Sequence, residues 1–312
     1  MAREARPVFI GGLDRSGKTP LRQILDASST VAFSRRSYLW TAIYGRYGDL
    51  DDDANLARCL RDLERHPGVW DAGIDLAHAE ATFRHGPRDD ASLVALIGEE
   101  MARAAGRERW GVQEGGLEDR AGLVFEAFPQ ARVLHMIRDP RDRHLAIAAA
   151  RDRPGLLGVS LVRWRTNARR ARHNLRQYGG RYLVIRFEDL AADPVAVARR
   201  VGHFIDEPDL EALQRAAAEW SAEMKRRPGT RADLEHDQAM RPGELLLAQR
   251  LVGPELRAYG YPMHAPSLSA AEWIRLAVAD LPLNAASAIF SAARNSLGTA
   301  KAGKLIGDEV RA

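Results

Sequence analysis

Short apolar runs recur along the chain, each followed by a polar loop and then by apolar positions at helical spacing. The first is Val8-Phe9-Ile10, ending in Gly11-Gly12, after which Leu21, Ile24 and Leu25 repeat at helical intervals. This predicts a strand, a tight loop and a helix from Lys18 to Asp26. Arg109 to Gln113 reads as a short strand opening into Glu114-Gly115-Gly116, with an amphipathic helix from Leu117 to Phe128. Arg132 to Ile137 and Tyr182 to Phe187 are near-continuous apolar runs, the pattern of strands buried in a parallel sheet. Further helices are predicted over Leu93–Ala104, 156–178, about 209–220 and about 243–258, with Pro194 at a helix start. Residues 66–90, rich in Pro, Gly, His and Asp, read as irregular.

The pattern changes after Pro266. Trp273, Leu276, Ala277 and Leu281, then Leu283, Ala286, Ile289, Phe290 and Ala293, predict two amphipathic helices broken at Pro282. The expected organisation is a main domain over 1–265 and a helical extension over 266–312. Packing on the main domain or homodimerisation is the expected use of the extension. Its few basic residues favour at most weak association with a membrane surface. No internal repeat or low-complexity segment is present.

Composition narrows the function. With 312 residues, 46% hydrophobic and 28% charged, the chain is that of a globular protein. A net charge of +4 spread along the chain favours small anions, and the lack of a dense basic stripe argues against nucleic acid. Cys59 is the single cysteine, so no internal disulfide forms. It stands at helical spacing with Leu56, Leu60 and Leu63 and is expected in the core. With no apolar leader before the first strand and no bilayer-length apolar stretch, the cytoplasm is the expected location.

Within the first strand–loop–helix, Gly12, Gly17, Lys18 and Thr19 satisfy GxxxxGK[ST], the phosphate-binding loop. Unpaired N–H groups at a helix start suit an anion, and glycines let the backbone approach it. Lys18 adds a mobile charge, while Ser16 and Thr19 add hydroxyl donors. The chain has only four lysines among its 46 basic residues, which makes one inside the loop harder to treat as incidental.

Other candidates follow from position. Arg138 comes directly after an apolar run, where parallel sheets bind ligands, and its planar fork suits a phosphate. A salt bridge among Arg138, Asp139, Arg141 and Asp142 is the plainer alternative. Tyr38, Trp40, Tyr44 and Tyr47 form either an acceptor wall or a core patch. Asp49 to Asp53 is most simply a helix start. The arginines Arg163, Arg165, Arg169, Arg170, Arg172 and Arg176 are expected mostly on a solvated helix face. His135 is expected in the core.

Taken in order, these segments resemble sulfotransferases that use 3′-phosphoadenosine 5′-phosphosulfate (PAPS). Phe9-Ile10-Gly11-Gly12 with Arg15-Ser16-Gly17-Lys18-Thr19 resembles their 5′-phosphosulfate loop, and Ile137 to Asp142 resembles their 3′-phosphate segment. Leu183 to Leu190 with Asp193-Pro194, and the closing Gly260-Tyr261, are similar to further family blocks. The resemblance covers about residues 7–262. It implies an α/β fold with a central parallel sheet flanked by helices and a P-loop-like nucleotide site. It also implies sulfuryl transfer from PAPS to a hydroxyl or amine of a small-molecule, carbohydrate or lipid acceptor, releasing 3′-phosphoadenosine 5′-phosphate, with no metal.

The cofactor-binding set so implied is Gly12, Asp14, Arg15, Ser16, Gly17, Lys18, Thr19 and Arg138, and the catalytic set is Arg15, Lys18 and Glu114. Arg15 matches the residue at the leaving phosphate, and Glu114 is nominated as base because it is the carboxylate nearest the family's base position. Alternatively it fixes Arg15 or a neighbouring arginine. The serine that usually partners the 3′-phosphate arginine is Ala146 here. Two rival functions are an ATP-dependent small-molecule kinase, favoured by the complete loop motif, and a nucleotide-binding protein without catalysis.

Overall fold

β1 (Val8–Gly11) is the middle strand of a five-stranded sheet in the computed structural model, which describes residues 4–34, 39–66, 69, 73–151, 156–226, 239–284 and 286. The other strands are β2 (Val31–Phe33), β3 (Arg109–Gln113), β4 (Arg132–Ile137) and β5 (Tyr182–Arg186). Their order is β2-β3-β1-β4-β5, and every pairing is parallel. Ile10 pairs with Gln113 on one side and Leu134 on the other, which aligns the C-terminal ends of β1, β3 and β4. The chain builds to one side of β1 through β3 and β2, then to the other through β4 and β5. Such a reversal opens a crevice beyond the strand ends.

The helices are α1 (Lys18–Leu25), α2 (Leu39–Ile43), α3 (Asp53–Glu64), α4 (Leu76–Arg84), α5 (Asp90–Ala104), α6 (Leu117–Ala127), α7 (Pro140–Arg151), α8 (Leu157–Tyr178), α9 (Phe187–Ala192), α10 (Pro194–Phe204), α11 (Leu210–Arg226), α12 (Pro242–Ala258) and α13 (Ala270–Arg275). The chain gathers into two compact units, Met1–Ile137 with Arg170–Arg231, and Arg138–Arg169 with Ala232–Ala312.

The first unit holds the sheet. Phe9 packs edge-on to Trp40 and Trp110, with ring centroids 6.3 and 5.7 Å apart, and lies 6.1 Å from Phe128. Trp40 and Tyr47 are buried, so these two aromatics serve the core rather than an acceptor wall, while Tyr38 lies outside the described residues. Cys59 is also buried, and burial pushes its thiol pKa up to about 12. His135 is buried on β4, with its Nδ1 2.9 Å from the Tyr182 hydroxyl.

Two elements differ from the sequence expectation. β2 is only three residues long, too short to show an alternation. α4 lies inside the segment expected to be irregular. The Asp75 side chain caps it by accepting from the His78 N–H at 3.0 Å, and Ala79 and Phe83, four apart, are its buried face. Asp52 likewise caps α3, the helix start expected of the acidic run.

Glu207 ties the entry of β2 to the turn before α11. Its carboxylate accepts from the Ser28 hydroxyl, from Ser29 N at 3.1 Å and Oγ at 2.5 Å, and from Thr30 Oγ1 at 3.0 Å. Burial alone would raise its pKa, but these donors outweigh it and hold the carboxyl below its ordinary value. Glu207→Ala is expected to cost about 2 kcal/mol, because it strands the buried Ser28 hydroxyl and removes the acceptor of three further, partly buried donors. Urea denaturation at neutral pH measures this.

In the second unit, α8 carries Arg165 and Arg169, which reach α12: Arg165 donates to the Leu251 carbonyl and Arg169 pairs with Glu255 at 2.5 Å. Part of the expected solvated arginine face is therefore used in packing. The chain stays helical past Pro282: a π-helical turn, Leu276–Asp280, leads into helical residues 281–284. Widening the turn ahead of a proline relieves the clash that would otherwise break the helix. Asn284 accepts from the Gly158 N–H at 2.6 Å and Leu276 is buried, so this segment packs within its own unit. The second predicted tail helix lies beyond the described residues, apart from its start.

Candidate active site

The loop between β1 and α1 is built on left-handed backbone. Gly12 has φ 116° and Gly17, which caps α1, has φ 94°. A side chain at either would meet neighbouring atoms as well as strain. A Cβ on Gly12 would lie 2.2 Å from the Met136 carbonyl oxygen, and one on Gly17 would lie 2.3 Å from the Phe187 ring. Arg15 also has a positive φ, 66°, a conformation costly for a non-glycine residue and concentrated at functional sites. Ser16 N closes the turn onto the Leu13 carbonyl at 3.2 Å.

This loop brings Gly12, Asp14, Arg15, Ser16, Gly17, Lys18 and Thr19 together. Ser16 and Lys18 are buried, while Asp14, Arg15 and Thr19 are exposed. No acidic residue stands in the first turn of α1, so no side chain of that turn offsets the positive end of the helix. The Lys18 Nζ lies 3.7 Å from Asp14 Oδ1. Burial lowers the Lys18 pKa, and the charges of Asp14, Glu118 and Glu114, in that order, work against the shift.

Glu114 follows β3 and donates its N–H to the Ile10 carbonyl at 2.9 Å, which sets it beside the start of the loop. It has no exposed surface. Oε1 accepts from the Trp40 N–H and Oε2 from the Thr41 hydroxyl, both at 2.7 Å. Arg120 Nη1 reaches the same hydroxyl at 3.4 Å. Glu114 therefore holds the start of α2. Burial raises its pKa to about 7, although Thr41, Trp40 and Arg120 all favour the charged form.

Arg138 is the first residue after β4 and opens the second unit. It is buried, and its carbonyl accepts from Trp164 Nε1 at 2.8 Å. Next to it, Arg141 and Asp139 form a buried two-point pair, with Nε–Oδ1 at 2.9 Å and Nη2–Oδ2 at 2.6 Å. Arg141 Nη2 also donates to the Pro262 carbonyl at 2.8 Å, anchoring the end of the Gly260-Tyr261-Pro262 segment. The salt-bridge alternative thus holds for Asp139 and Arg141.

The sequence profile of the sulfotransferase family matches residues 7–212. The chain belongs to the sulfotransferase family. Among solved structures, sulfotransferase STF9 from Mycobacterium avium shares the fold with a TM-score of 0.50 at 16% identity, covering 83% of this chain and 78% of its own. The sulfotransferase domain of the olefin synthase from Synechococcus PCC 7002 has a TM-score of 0.47 at 22% identity, over 88% of this chain and 94% of that one. No curated protein matches the chain significantly by sequence. No helix of the described residues is long and apolar enough to cross a membrane.

One buried carboxylate whose charge acts on Lys18 escapes sequence reasoning. Glu118 stands in the first turn of α6, where an acidic residue is explained by the helix dipole alone. Yet it is only 7% exposed, and no donor among the described residues reaches its Oε2. Thr41 is missed as well, because its link to Glu114 spans 73 positions.

Proposed function

We propose that the chain transfers a sulfuryl group from PAPS to a hydroxyl or amine of a small-molecule, carbohydrate or lipid acceptor. The observation that carries this is the phosphate-binding loop, with its left-handed glycines and buried lysine, in a chain of the sulfotransferase family. The donor set fits a phosphosulfate: loop N–H groups, the Ser16 hydroxyl, the Lys18 ammonium and the exposed Arg15 guanidinium. PAPS, when bound, supplies an activated sulfuryl group on a phosphate leaving group.

The chain's own residues do the rest. Gly12 and Gly17 keep the backbone N–H groups turned inward. Arg15 and Lys18 face the oxygen on which negative charge grows during transfer; each such donor is worth about 3–4 kcal/mol in a preorganised site. Arg138 is assigned to the 3′-phosphate. Glu114, nominated from its position as the base, has both oxygens committed to α2, and we assign it to fixing that segment instead.

Titration calorimetry with 3′-phosphoadenosine 5′-phosphate tests the reading. Tight binding without Mg²⁺ is expected, and Lys18→Ala should weaken it about 10- to 100-fold, the worth of one charge-assisted contact. Indifference to this nucleotide, together with Mg²⁺-dependent ATP binding, would show a kinase instead.

A further inference from the structure

Three carboxylates act on the Lys18 charge, and they differ in what their oxygens are doing. Asp14 is 59% exposed and sits 3.7 Å from the ammonium, in water. Glu114 has no exposed surface and gives both oxygens to α2. Glu118 alone combines burial with an oxygen that no protein donor among the described residues reaches. A buried carboxylate oxygen without a hydrogen bond is costly and rare, so its retention points to a use.

Its place is held firmly. Leu117, the preceding residue, packs against Gly11 at the head of the loop, where a Cβ would lie 3.0 Å from Leu117 Cδ2. The Glu118 carbonyl accepts from Asn174 Nδ2 at 2.9 Å, and neighbouring Asp119 pairs with Arg170. The first turn of α6 is thereby locked to both the loop and the end of α8.

We propose that Glu118 is the proton acceptor of the transfer. Its Oε2 takes the proton from the acceptor's hydroxyl or amine as that oxygen or nitrogen bonds to sulfur. The bond from sulfur to the phosphate oxygen breaks in the same step, and its electron pair leaves with 3′-phosphoadenosine 5′-phosphate. This deepens the sulfuryl-transfer reading and rests on it.

The test is Glu118→Gln in the full chain, with Glu118→Asp as the conservative variant. Glu118→Gln keeps the shape and removes the basic oxygen. Turnover of PAPS with an accepted substrate should fall about 10²- to 10⁴-fold, the usual worth of a general base. Glu118→Asp should restore part of it, and the acidic limb of the pH–rate profile should disappear in Glu118→Gln. Calorimetry gives a readout independent of turnover: 3′-phosphoadenosine 5′-phosphate should bind Glu118→Gln as tightly as wild type or more tightly, since a negative charge near Lys18 is gone. Turnover within threefold of wild type, or an unchanged acidic limb, would overturn the assignment. A loss of nucleotide binding in Glu118→Gln alone would also overturn it, by showing a structural part. A wild-type chain that binds no such nucleotide would instead overturn the underlying donor reading.

Discussion

Gly12→Ala is expected to destabilise the protein by about 3 kcal/mol or more and to abolish tight nucleotide binding. Two independent costs combine. A non-glycine residue at φ 116° carries strain on the order of 1–3 kcal/mol. The new methyl would also sit 2.2 Å from the Met136 carbonyl oxygen, a backbone atom of β4 that cannot rotate away. The sheet register leaves little room to relax, because Gly11 pairs with His135, the residue before Met136. Moving Gly12 outward would pull apart the β1–β4 pairing and turn the loop N–H groups from the anion. Urea denaturation and titration with 3′-phosphoadenosine 5′-phosphate check the two halves. A loss of under 1 kcal/mol with unchanged affinity would show that the loop does not depend on this close approach.

The second large effect depends on pH. Glu114 has its pKa raised to about 7 by burial, against 4.5 for a free glutamate. A carboxyl that holds its proton more tightly when folded adds stability that is complete below about pH 4.5. That stability is lost as pH rises through about 7. The difference corresponds to about 3 kcal/mol. Glutamine mimics the protonated carboxyl, since its oxygen can accept from the Trp40 N–H and its amide can donate to the Thr41 oxygen. Glu114→Gln should therefore match wild type near pH 4.5 and exceed it by about 3 kcal/mol at pH 8.5. Thermal unfolding should show a gap of roughly 6 °C at the higher pH for a chain of this length. Parallel pH–stability curves would show that Glu114 is charged throughout.

The two carboxylates after β3 would then divide the work. Glu114 keeps α2 in place, and Glu118 carries the chemistry. A comparison of Glu114→Gln with Glu118→Gln in turnover separates these parts, the former expected to lose far less.

How much was legible follows from how local each signal is. Strands β1 and β4 are visible because a strand buried on both faces must be apolar throughout, and β3 and β5 because each still carries a short apolar run. The phosphate loop is visible because its glycines, hydroxyls and lysine lie within eight residues and each is demanded by backbone geometry or charge. β2 escapes because three residues cannot show a period. α4 escapes because the cap at Asp75 and the apolar pair Ala79 and Phe83 are hidden among Pro, Gly and His. The break expected at Pro282 is absorbed by a π-helical turn, a packing solution that no single residue announces.

The amino-acid order by itself determined the parallel sheet, the glycine bend between β1 and α1 and the membership of the sulfotransferase family, since these rest on neighbours in the chain. Only the tertiary structure told the surroundings of the two acids apart. Glu114 and Glu118 are four positions apart and chemically identical on paper. One has its oxygens filled by Trp40 and Thr41, some 73 positions away, and the other, in a turn tied to Asn174, has a buried oxygen that no donor among the described residues reaches. Hydrogen-bond partners brought together by folding, rather than sequence position, set the protonation and the availability of a buried carboxylate.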